Sequence, residues 1–346
     1  MPEIRDKSFY DEFYSRQIIM KELGRRGQKK LSKSSVAVVG LGGLGTVSSL
    51  YLALAGVGRL RLIDQDTVEV QNLHRQVLYS PEDLHYPKVE VSARNLRRAN
   101  PLVEVEAIPE NLNVGNVEKL LSGMDCVVDG LDNIRTRYLV NRACVKLGIP
   151  YVFGAAIGIE GNLSVFVSPE TPCLECVFPN LEDDYLLSCD VRGVLGVTPG
   201  IIGTMQAMEA IKVLTGMGST LKGKLMICDF SDMYFATIDI LKREDCPACQ
   251  GTIIFPEKRE KLVWLCGRNT ANINPETPAR LNLNKVYEAV KRHYKIRIKS
   301  QLAIIFDYKS FEISLFNSGR MLIKNVNSEK EALRVYREIG KRLGLS

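Results

Sequence analysis

Short apolar runs alternate with amphipathic stretches over the first 150 residues of the chain. Buried strands are predicted by the apolar, mostly β-branched runs at 35–39, 59–63, 103–108 and 126–129. Helices are predicted by the stretches with helical spacing at 46–55, 88–99, 117–121 and 135–147. Because strands and helices alternate, we predict an α/β fold with a doubly wound, mostly parallel sheet and helices on both of its faces.

The pattern changes towards both ends of the chain. Residues 9–31 predict a polar helical lead-in with turns at Gly24 and Gly27. After residue 150 the predicted elements are a strand at 151–153, an antiparallel strand at 162–167, a helix at 200–214 and a strand at 224–229. Beyond residue 255 they are a strand at 261–266, a loop, a helix at 284–294, two or three strands between 296 and 326, and a helix at 329–343. We therefore predict two domains, 1–254 and a small α+β domain at 255–346.

The composition is that of a folded globular protein. Of 346 residues, 45% are hydrophobic and 25% charged, which excludes a disordered or collagen-like chain. No run approaches 18 consecutive apolar residues, and the first residues carry charges where a signal peptide has an apolar segment. We therefore expect a cytoplasmic protein with no membrane among its partners.

The charge is distributed unevenly between the two predicted domains. Residues 256–346 contain 19 Lys and Arg against 9 Asp and Glu, whereas the rest of the chain contains 27 against 31. A basic domain of this kind can dock an acidic partner or nucleic acid, or it can be a solvated surface without a partner. We expect a protein partner and no nucleic acid.

A glycine-rich segment follows the first predicted strand. Gly40, Gly42, Gly43 and Gly45 lie between this strand and a helix, where backbone N–H groups can approach phosphates. Asp64 ends the next strand, at the position of a carboxylate that accepts a hydrogen bond from a ribose hydroxyl. The sheet is therefore Rossmann-like, and the glycines alone fit either a dinucleotide or ATP.

The residues after Asp64 favour ATP over a nicotinamide dinucleotide. Carboxylates, amides and cations are concentrated there, and such a set suits a triphosphate; its members are Asp64, Asp66, Gln71, Asn72, Arg75, Gln76 and Lys88. A second group, Asp129 to Asn133, comes at the carboxyl end of a strand, the edge where open α/β sheets bind ligands. Asp132 in this group can hold Mg²⁺.

Four of the nine cysteines form two C-x2-C pairs. Cys173 and Cys176 are separated by 69 residues from Cys246 and Cys249. Two such pairs supply the four thiolates of a tetrahedral Zn²⁺ site, and a site closed in this way is structural. We interpret Cys126, Cys144 and Cys228, which lie in apolar runs, as core residues.

The motifs taken together resemble the ubiquitin-activating enzyme superfamily, which includes the ThiF, MoeB and HesA-type adenylyltransferases. The resemblance rests on Y-S-R-Q at 14–17, G-L-G-G-L-G at 40–45, D-x-D-x-V-x-x-x-N-L-x-R-Q at 64–76, Lys88, G-L-D-N at 130–133 and the cysteine pairs. It covers residues 9–251 and implies an ATP site lined by Gly43, Asp64, Gln71 to Arg75, Lys88, Asp132 and Asn133. It also implies that Arg16 reaches the phosphates of the other subunit of a homodimer.

The resemblance further implies that Cys189 takes part in covalent transfer. The neighbouring charges have opposite effects on its reactivity. A reactive thiolate is disfavoured by Asp183, Asp184 and Asp190, and only Arg192 favours it. Cys189 therefore remains either a nucleophile or a bystander.

The implied reaction is ATP-dependent adenylation of the C-terminus of a ubiquitin-like or sulfur-carrier protein, with catalytic roles for Arg16, Arg75, Asp132 and Cys189. Modifier-activating enzymes often carry a small extra domain that recruits a conjugating enzyme. We therefore expect thioester formation and transfer to such an enzyme. The alternative is activation of a sulfur carrier for molybdopterin, thiamine or tRNA thiolation. An NAD-dependent dehydrogenase and a non-catalytic scaffold are the remaining rival interpretations.

Overall fold

Eight strands form a mostly parallel sheet in the first two thirds of the chain. The computed structural model describes residues 7–182, 192–252, 262–265, 269–275 and 280–343. The five strands that come first in the chain pair in parallel: β1 (Ser35–Val39), β2 (Arg59–Ile63), β3 (Glu104–Ile108), β4 (Cys126–Asp129) and β5 (Tyr151–Ile157). Antiparallel strands extend the sheet beyond β5: β6 (Glu160–Phe166), β7 (Lys224–Asp229) and β8 (Tyr234–Asp239). The order β3-β2-β1-β4-β5-β6-β7-β8 confirms the predicted doubly wound architecture.

Helices cover both faces of this sheet. In β1, Val36 and Val38 join one apolar cluster while Ala37 and Val39 join another on the opposite face. Such two-sided burial explains why the parallel strands are almost entirely apolar. The helices are α1 (Lys7–Phe13), α2 (Ser15–Ile18), α3 (Gly24–Leu31), α4 (Gly43–Ala55), α5 (Lys88–Ala99), α6 (Val117–Leu121), α7 (Ile134–Leu147), α8 (Leu174–Val177), α9 (Val197–Thr215) and α10 (Pro247–Gln250).

A second, antiparallel sheet lies in the C-terminal region. Its strands are β9 (Leu262–Leu265), β10 (Thr270–Ile273), β11 (Lys295–Lys299), β12 (Ala303–Tyr308), β13 (Phe311–Phe316) and β14 (Met321–Lys324). They are arranged in the order β11-β12-β13-β14-β10-β9. Helices α11 (Leu283–Val290) and α12 (Glu329–Leu343) pack on one face, where Val290 and Ile339 join Phe306 in one apolar cluster. The predicted α+β composition of this region is confirmed.

Some predicted elements differ from the observed ones. The predicted loop after residue 266 contains β10, and four strands, not two or three, occur between 295 and 324. Gly27 lies inside α3 and does not form a turn. The predicted domain boundary between residues 254 and 255 lies outside the described residues and stays a prediction. Within the described ranges, no helix combines the length and the apolar character that crossing a membrane requires.

Candidate active site

The glycine turn joins β1 to α4 at the carboxyl edge of the sheet. Gly40 adopts a left-handed φ of +85°, and a Cβ on Gly45 would lie 1.9 Å from the carbonyl oxygen of Gly40. These two glycines are therefore required by the backbone itself. A Cβ on Gly42, by contrast, would lie 3.7 Å from the Gly130 carbonyl oxygen, its nearest contact among the described residues apart from its chain neighbours. Because none of the described side chains caps α4 at this end, its N terminus can receive an anion.

Gly43, the first residue of α4, lies against α9. A Cβ at this position would approach the ring of Pro199 to 2.9 Å. Gly43 is thus required for the close packing of α4 on α9, which fixes the direction of α4 behind the turn.

Asp64 links the glycine turn to the segment after β2. Its Oδ2 accepts a hydrogen bond from the Leu41 N–H at 2.7 Å, and its Oδ1 accepts one from the Asp66 N–H at 2.7 Å. Burial raises the pKa of Asp64, and the positive charge of Lys88 opposes that effect. The carboxylate is therefore held in a fixed orientation beside the turn, with its remaining lone pairs available to a ribose hydroxyl.

Lys88 is brought to the same place by α5, of which it is the first residue. Its side chain is only 4% exposed, and its Nζ lies 3.3 Å from Oδ2 of Asp66. The backbone N–H of Lys88 also donates to the carbonyl oxygen of Asp66 at 3.0 Å. The structure thus brings Asp64, Asp66 and Lys88 together, as the sequence predicted.

Two amide side chains of the segment after β2 are buried, and each has a polar atom without a partner among the described residues. Asn72 and Gln76 are 1% and 3% exposed. Among the described residues, Nδ2 of Asn72 and Oε1 of Gln76 have no hydrogen-bond partner. The Gln76 Nε2 lies 4.0 Å from the position that a Gly42 Cβ would take. Buried polar atoms are nearly always paired, so the unpaired donor of Asn72 and the unpaired acceptor of Gln76 fit a polar ligand such as a nucleotide.

Arg75 lies on the same turn and is held by its own neighbours. Its Nη1 donates to the carbonyl oxygen of Gln71 at 2.5 Å and lies 2.9 Å from Nε2 of His74. In the described part of the chain, no carboxylate pairs with this guanidinium, so its other N–H groups can meet phosphate oxygens. The side chain of Gln71 is exposed and donates to Glu69 at 2.8 Å.

The turn between β4 and α7 places Asp132 and Asn133 at the sheet edge. Asn133 caps α7 by accepting from the Thr136 N–H at 2.9 Å, and its Nδ2 donates to Oδ1 of Asp132 at 3.2 Å. Asp132 is exposed, as a cation ligand at this edge would be. The two side chains are therefore adjacent, at the place where the sequence predicted a Mg²⁺ site.

Asp129, which the sequence grouped with Asp132, has a different environment. Its carboxylate is completely buried and accepts hydrogen bonds from the Tyr151 hydroxyl at 2.7 Å and the Leu131 N–H at 2.8 Å. It also forms an ion pair with Arg137 at 3.1 Å. Burial raises the pKa of Asp129, and Arg137 opposes that rise. The pair holds the turn that carries Asp132, and the sequence analysis did not single out Arg137.

Arg16 does not join the other candidate residues. It lies exposed on α2. The next residue, Gln17, donates to the carbonyl oxygen of Ala55 at the C-terminal end of α4. The buried Tyr14 hydroxyl accepts from Asn100 at 2.7 Å at the same end. Because α4 has 13 residues, this end lies about 20 Å from the glycine turn. Arg16 is thus remote from the site of its own chain.

The four predicted metal ligands form one cluster. Sγ of Cys173 lies 3.9 Å from that of Cys176 and 3.6 Å from that of Cys246, and Cys176 lies 3.6 Å from Cys249. All four sulfur atoms fall within 4.8 Å of one another, which is consistent with a tetrahedral zinc site. The backbone N–H of Leu174, inside the first pair, donates to the side chain of Asn141 at 3.0 Å.

The remaining cysteines divide into two groups. Cys126, Cys144 and Cys228 are buried in apolar surroundings, which confirms their assignment to the core. Burial raises the pKa of Cys126 to about 12. Cys189 and Cys266 lie outside the described residues, and the role of Cys189 stays a prediction.

Two C-terminal residues contact the candidate site, and no sequence motif predicted them. Arg320 donates to the carbonyl oxygen of Gln65 at 2.8 Å, and Lys324 donates to the Thr67 hydroxyl at 3.0 Å. Arg320 and Gln65 are 255 positions apart, so no local sequence pattern could predict their contact.

Comparison with known proteins agrees with this geometry. Residues 14–248 match the ThiF family. A sulfur carrier protein adenylyltransferase from Thermus thermophilus is 44% identical over 262 residues, which cover 73% of this chain and 96% of that protein. A SAMP-activating enzyme E1 from Haloferax volcanii is 45% identical over 237 residues, which cover 68% of this chain and 87% of that protein.

A solved structure shares the fold. The crystal structure of E. coli MccB with ATP superimposes with a TM-score of 0.58 and 25% identity, over 65% of this chain and 68% of MccB. The family match ends before the C-terminal sheet. The chain belongs to the ThiF family and is an E1-like adenylyltransferase.

Proposed function

We propose that the chain uses ATP and Mg²⁺ to adenylate the C-terminal carboxylate of a sulfur-carrier protein of the ubiquitin-like class. One observation carries this proposal. At the carboxyl edge of the sheet, Asp64 connects the glycine turn at Leu41 to the Asp66–Lys88 pair, and the buried Gln76, whose Oε1 is unpaired among the described residues, lies beside Gly42. The names of the two relatives above support a carrier protein as the substrate.

The chemistry requires charge neutralisation more than proton transfer. A carboxylate oxygen of the carrier attacks the α-phosphorus of ATP, the bond between that phosphorus and the bridging oxygen breaks, and pyrophosphate leaves with the electron pair. The backbone N–H groups that begin α4, together with Lys88 and Arg75, would hold the phosphate oxygens. Asp132, beside Asn133, would hold Mg²⁺, which neutralises the charge that develops on pyrophosphate.

The carrier would reach this site across the far strands of the sheet. Cross-strand pairing places Ala155, Asn162, Ile227 and Ala236 in one row on one face of β5 to β8. Ile227 is 39% exposed, so the outer part of this face offers apolar contact. A carrier seated on β7 and β8 could extend its C-terminal peptide along the row towards the β4–α7 turn.

A homodimer would complete each site. The remote position of Arg16 is expected if its guanidinium reaches the phosphates of the partner subunit. Exposed apolar side chains flank it, including Ile19 and Met20 after α2 and Tyr51 and Leu54 on α4. Such a surface next to a required cation favours a subunit interface at this place.

The fate of the acyl adenylate separates two candidate functions. In sulfur-carrier activation, a sulfur donor converts the adenylate to a thiocarboxylate and releases AMP. In modifier activation, the Cys189 thiolate attacks the acyl carbon, AMP leaves, and the thioester passes to a conjugating enzyme. The match to a SAMP-activating enzyme E1 keeps the second candidate open. The matches favour the first, and transfer to a conjugating enzyme has no support from them.

The experiment combines pyrophosphate exchange with gel analysis. Wild type and Cys189→Ala are incubated with ATP, Mg²⁺ and small β-grasp proteins from the same genome, and Lys88→Met serves as the inactive control. Carrier-dependent exchange in both active proteins, with no adduct on non-reducing gels, supports sulfur-carrier activation. Modifier activation is supported by an adduct that forms on wild type, is removed by reducing agent and is absent from Cys189→Ala. Absence of exchange with every carrier refutes both.

A further inference from the structure

Arg320 is the largest side chain that the described part of the protein buries completely. It lies in the turn between β13 and β14. Its Nε donates to the carbonyl oxygen of Pro109 at 3.1 Å, its Nη2 to that of Gln65 at 2.8 Å and its Nη1 to Oδ1 of Asn272 at 2.7 Å. Its guanidinium carbon stacks 3.6 Å from the ring centroid of Phe316. Each of the three guanidinium nitrogens therefore donates a hydrogen bond, and one face of the group stacks on an aromatic ring.

The two carbonyl groups belong to the sheet edge that carries the candidate site. Gln65 lies between Asp64 and Asp66 after β2, and Pro109 directly follows β3, the parallel neighbour of β2. Arg320 thus ties the ends of two adjacent strands together. No carboxylate forms an ion pair with it among the described residues. Burial lowers the pKa of Arg320 to about 10, so the group stays charged at neutral pH, and its charge acts on Asp64 and Asp66.

Lys324 holds the next part of the same segment. Its Nζ lies 3.0 Å from the Thr67 hydroxyl, 2.7 Å from Oε1 of Glu69 and 3.1 Å from Oε1 of Glu312. Glu69 caps the short turn of residues 70–72, and its own backbone N–H donates to Oδ1 of Asn72 at 3.2 Å. Lys324 is therefore connected through Glu69 to Asn72, one of the two amides with unpaired atoms.

We infer that Arg320 and Lys324 are positioning residues for the nucleotide, and that the C-terminal sheet sets the geometry of the segment from Asp64 to Asn72. This inference rests on the proposed function, because it assigns these residues to the nucleotide site proposed above. Neither side chain touches the nucleotide in this arrangement. Each fixes backbone or side-chain groups that do, and a displacement of about 1 Å at such a site can cost about 100-fold in rate.

The same contacts limit what else this face of the C-terminal sheet can do. Glu312 is buried and pairs with His85 at 3.0 Å and with Arg297 at 2.9 Å, in addition to Lys324. The backbone N–H groups of Gln301 and Leu302 donate to Glu90 at 3.2 and 3.3 Å. Two cations of this face, Arg297 and Lys324, are thus engaged within the chain, which disfavours their use in docking a conjugating enzyme.

The test uses the full chain and measures ATP and carrier separately. Lys324→Met and Arg320→Lys are compared with Arg334→Met, an exposed cation on α12 of the same region. We expect Lys324→Met to raise the KM for ATP in pyrophosphate exchange by about 10-fold while the KM for the carrier stays within about twofold. Arg320→Lys keeps the charge but loses the three directed hydrogen bonds, and we expect the same pattern. Arg334→Met is expected to match wild type.

The outcomes separate the inference from the proposed function. Circular dichroism and thermal unfolding identify variants that do not fold, and Lys324→Arg, which retains the cation, should restore at least part of the ATP affinity. An unchanged KM for ATP in a folded Lys324→Met overturns the inference while the proposed function stands. Equal increases in the KM for ATP and for the carrier also overturn it, since they indicate a general structural role. Wild type that neither binds ATP nor exchanges pyrophosphate refutes both.

Discussion

The Nζ of Lys88 lies 3.3 Å from Oδ2 of Asp66, and Lys88 is almost completely buried. The nearby carboxylate offsets the cost of burying the ammonium charge. The pair therefore delivers a positive charge to the sheet edge without exposing it to water, where its interaction with a nucleotide would be weaker.

The first prediction concerns the loss of this charge. Lys88→Met should lower the rate of pyrophosphate exchange by the equivalent of about 2–4 kcal/mol, because one preorganised contact to the developing charge disappears. The measurement is exchange of labelled pyrophosphate into ATP. Lys146→Met, which removes an exposed lysine on α7, is the matched control and should leave the rate unchanged. A rate near that of wild type for Lys88→Met would remove Lys88 from the mechanism.

The glycine turn permits a test that separates folding from ligand binding. Gly42→Ala meets no obstacle in the protein, so we expect a melting temperature within about 2 °C of wild type and a marked loss of ATP affinity. Gly45→Ala drives a methyl group into the Gly40 carbonyl and should destabilise the fold by about 3 kcal/mol or more. Calorimetry measures the melting temperature and the ATP affinity of both variants. Normal ATP binding by Gly42→Ala would argue against phosphates at the turn.

Zinc should prove to be a structural component. Metal analysis is expected to find one zinc ion per chain, absent from Cys246→Ser and retained by Cys228→Ala, whose thiol lies in the core. Loss of the ion should reduce the unfolding free energy by at least about 3 kcal/mol, because structural zinc binds zinc-finger peptides with about 10–16 kcal/mol of apparent free energy. A stable, metal-free wild type would contradict the assignment.

Complementation tests the role of Arg16 across subunits. Arg16→Ala and Lys88→Met should each be inactive alone. After mixing and subunit exchange, one of the two sites in each mixed dimer has both residues intact, so we expect about a quarter of wild-type activity. No recovery, with dimer exchange verified by mass spectrometry, would place the action of Arg16 elsewhere.

The contact between Lys324 and Glu69 should make stability depend on pH. Burial acts to raise the pKa of Glu69, but Lys324 outweighs it and lowers that pKa below the ordinary value of 4.5. The unfolded chain therefore takes up this proton first. The contribution, about 1 kcal/mol, is present above pH 4.5 and is lost as the pH falls through the folded pKa.

Urea unfolding of wild type and Glu69→Gln from pH 7 to pH 3 measures this contribution. The difference in unfolding free energy between the two proteins should be largest at pH 7 and vanish at the acidic end. A difference that stays constant over the range would show that the ionised carboxylate does not stabilise the fold.

The sequence predicted the parallel sheet well because its strands are buried on both faces. The observed bounds of β1, β2 and β4 match the predicted ones, as do those of α5. The site at the sheet edge was predictable for the same reason, since parallel strands end at one edge and the residues after them converge there. Asp66 and Lys88 are therefore neighbours although 22 residues separate them.

Physical reasons explain why the sequence pattern did not predict strands β10 and β8. Asn272 in β10 and Asn274 just after it flank Ile273, and such polar residues are typical of a loop. Here both are buried, and Asn274 donates a hydrogen bond to Asn111 in the first part of the chain. Strand β8 is largely exposed, so it has no burial pattern to detect. The contacts of Arg320 and Lys324 depend on how two sheets pack together, which no local period encodes.

The cysteine cluster has a consequence for the integrity of the chain. Its two halves stand on opposite sides of residues 183–191, and the ladder between β6 and β7 spans the same interval. A protease that severed the backbone between positions 182 and 192 would leave two fragments still joined by interstrand pairing and, with zinc bound, by metal–sulfur bonds. Such a cut would not by itself separate the two halves, so an intact particle in solution does not guarantee an uncut polypeptide.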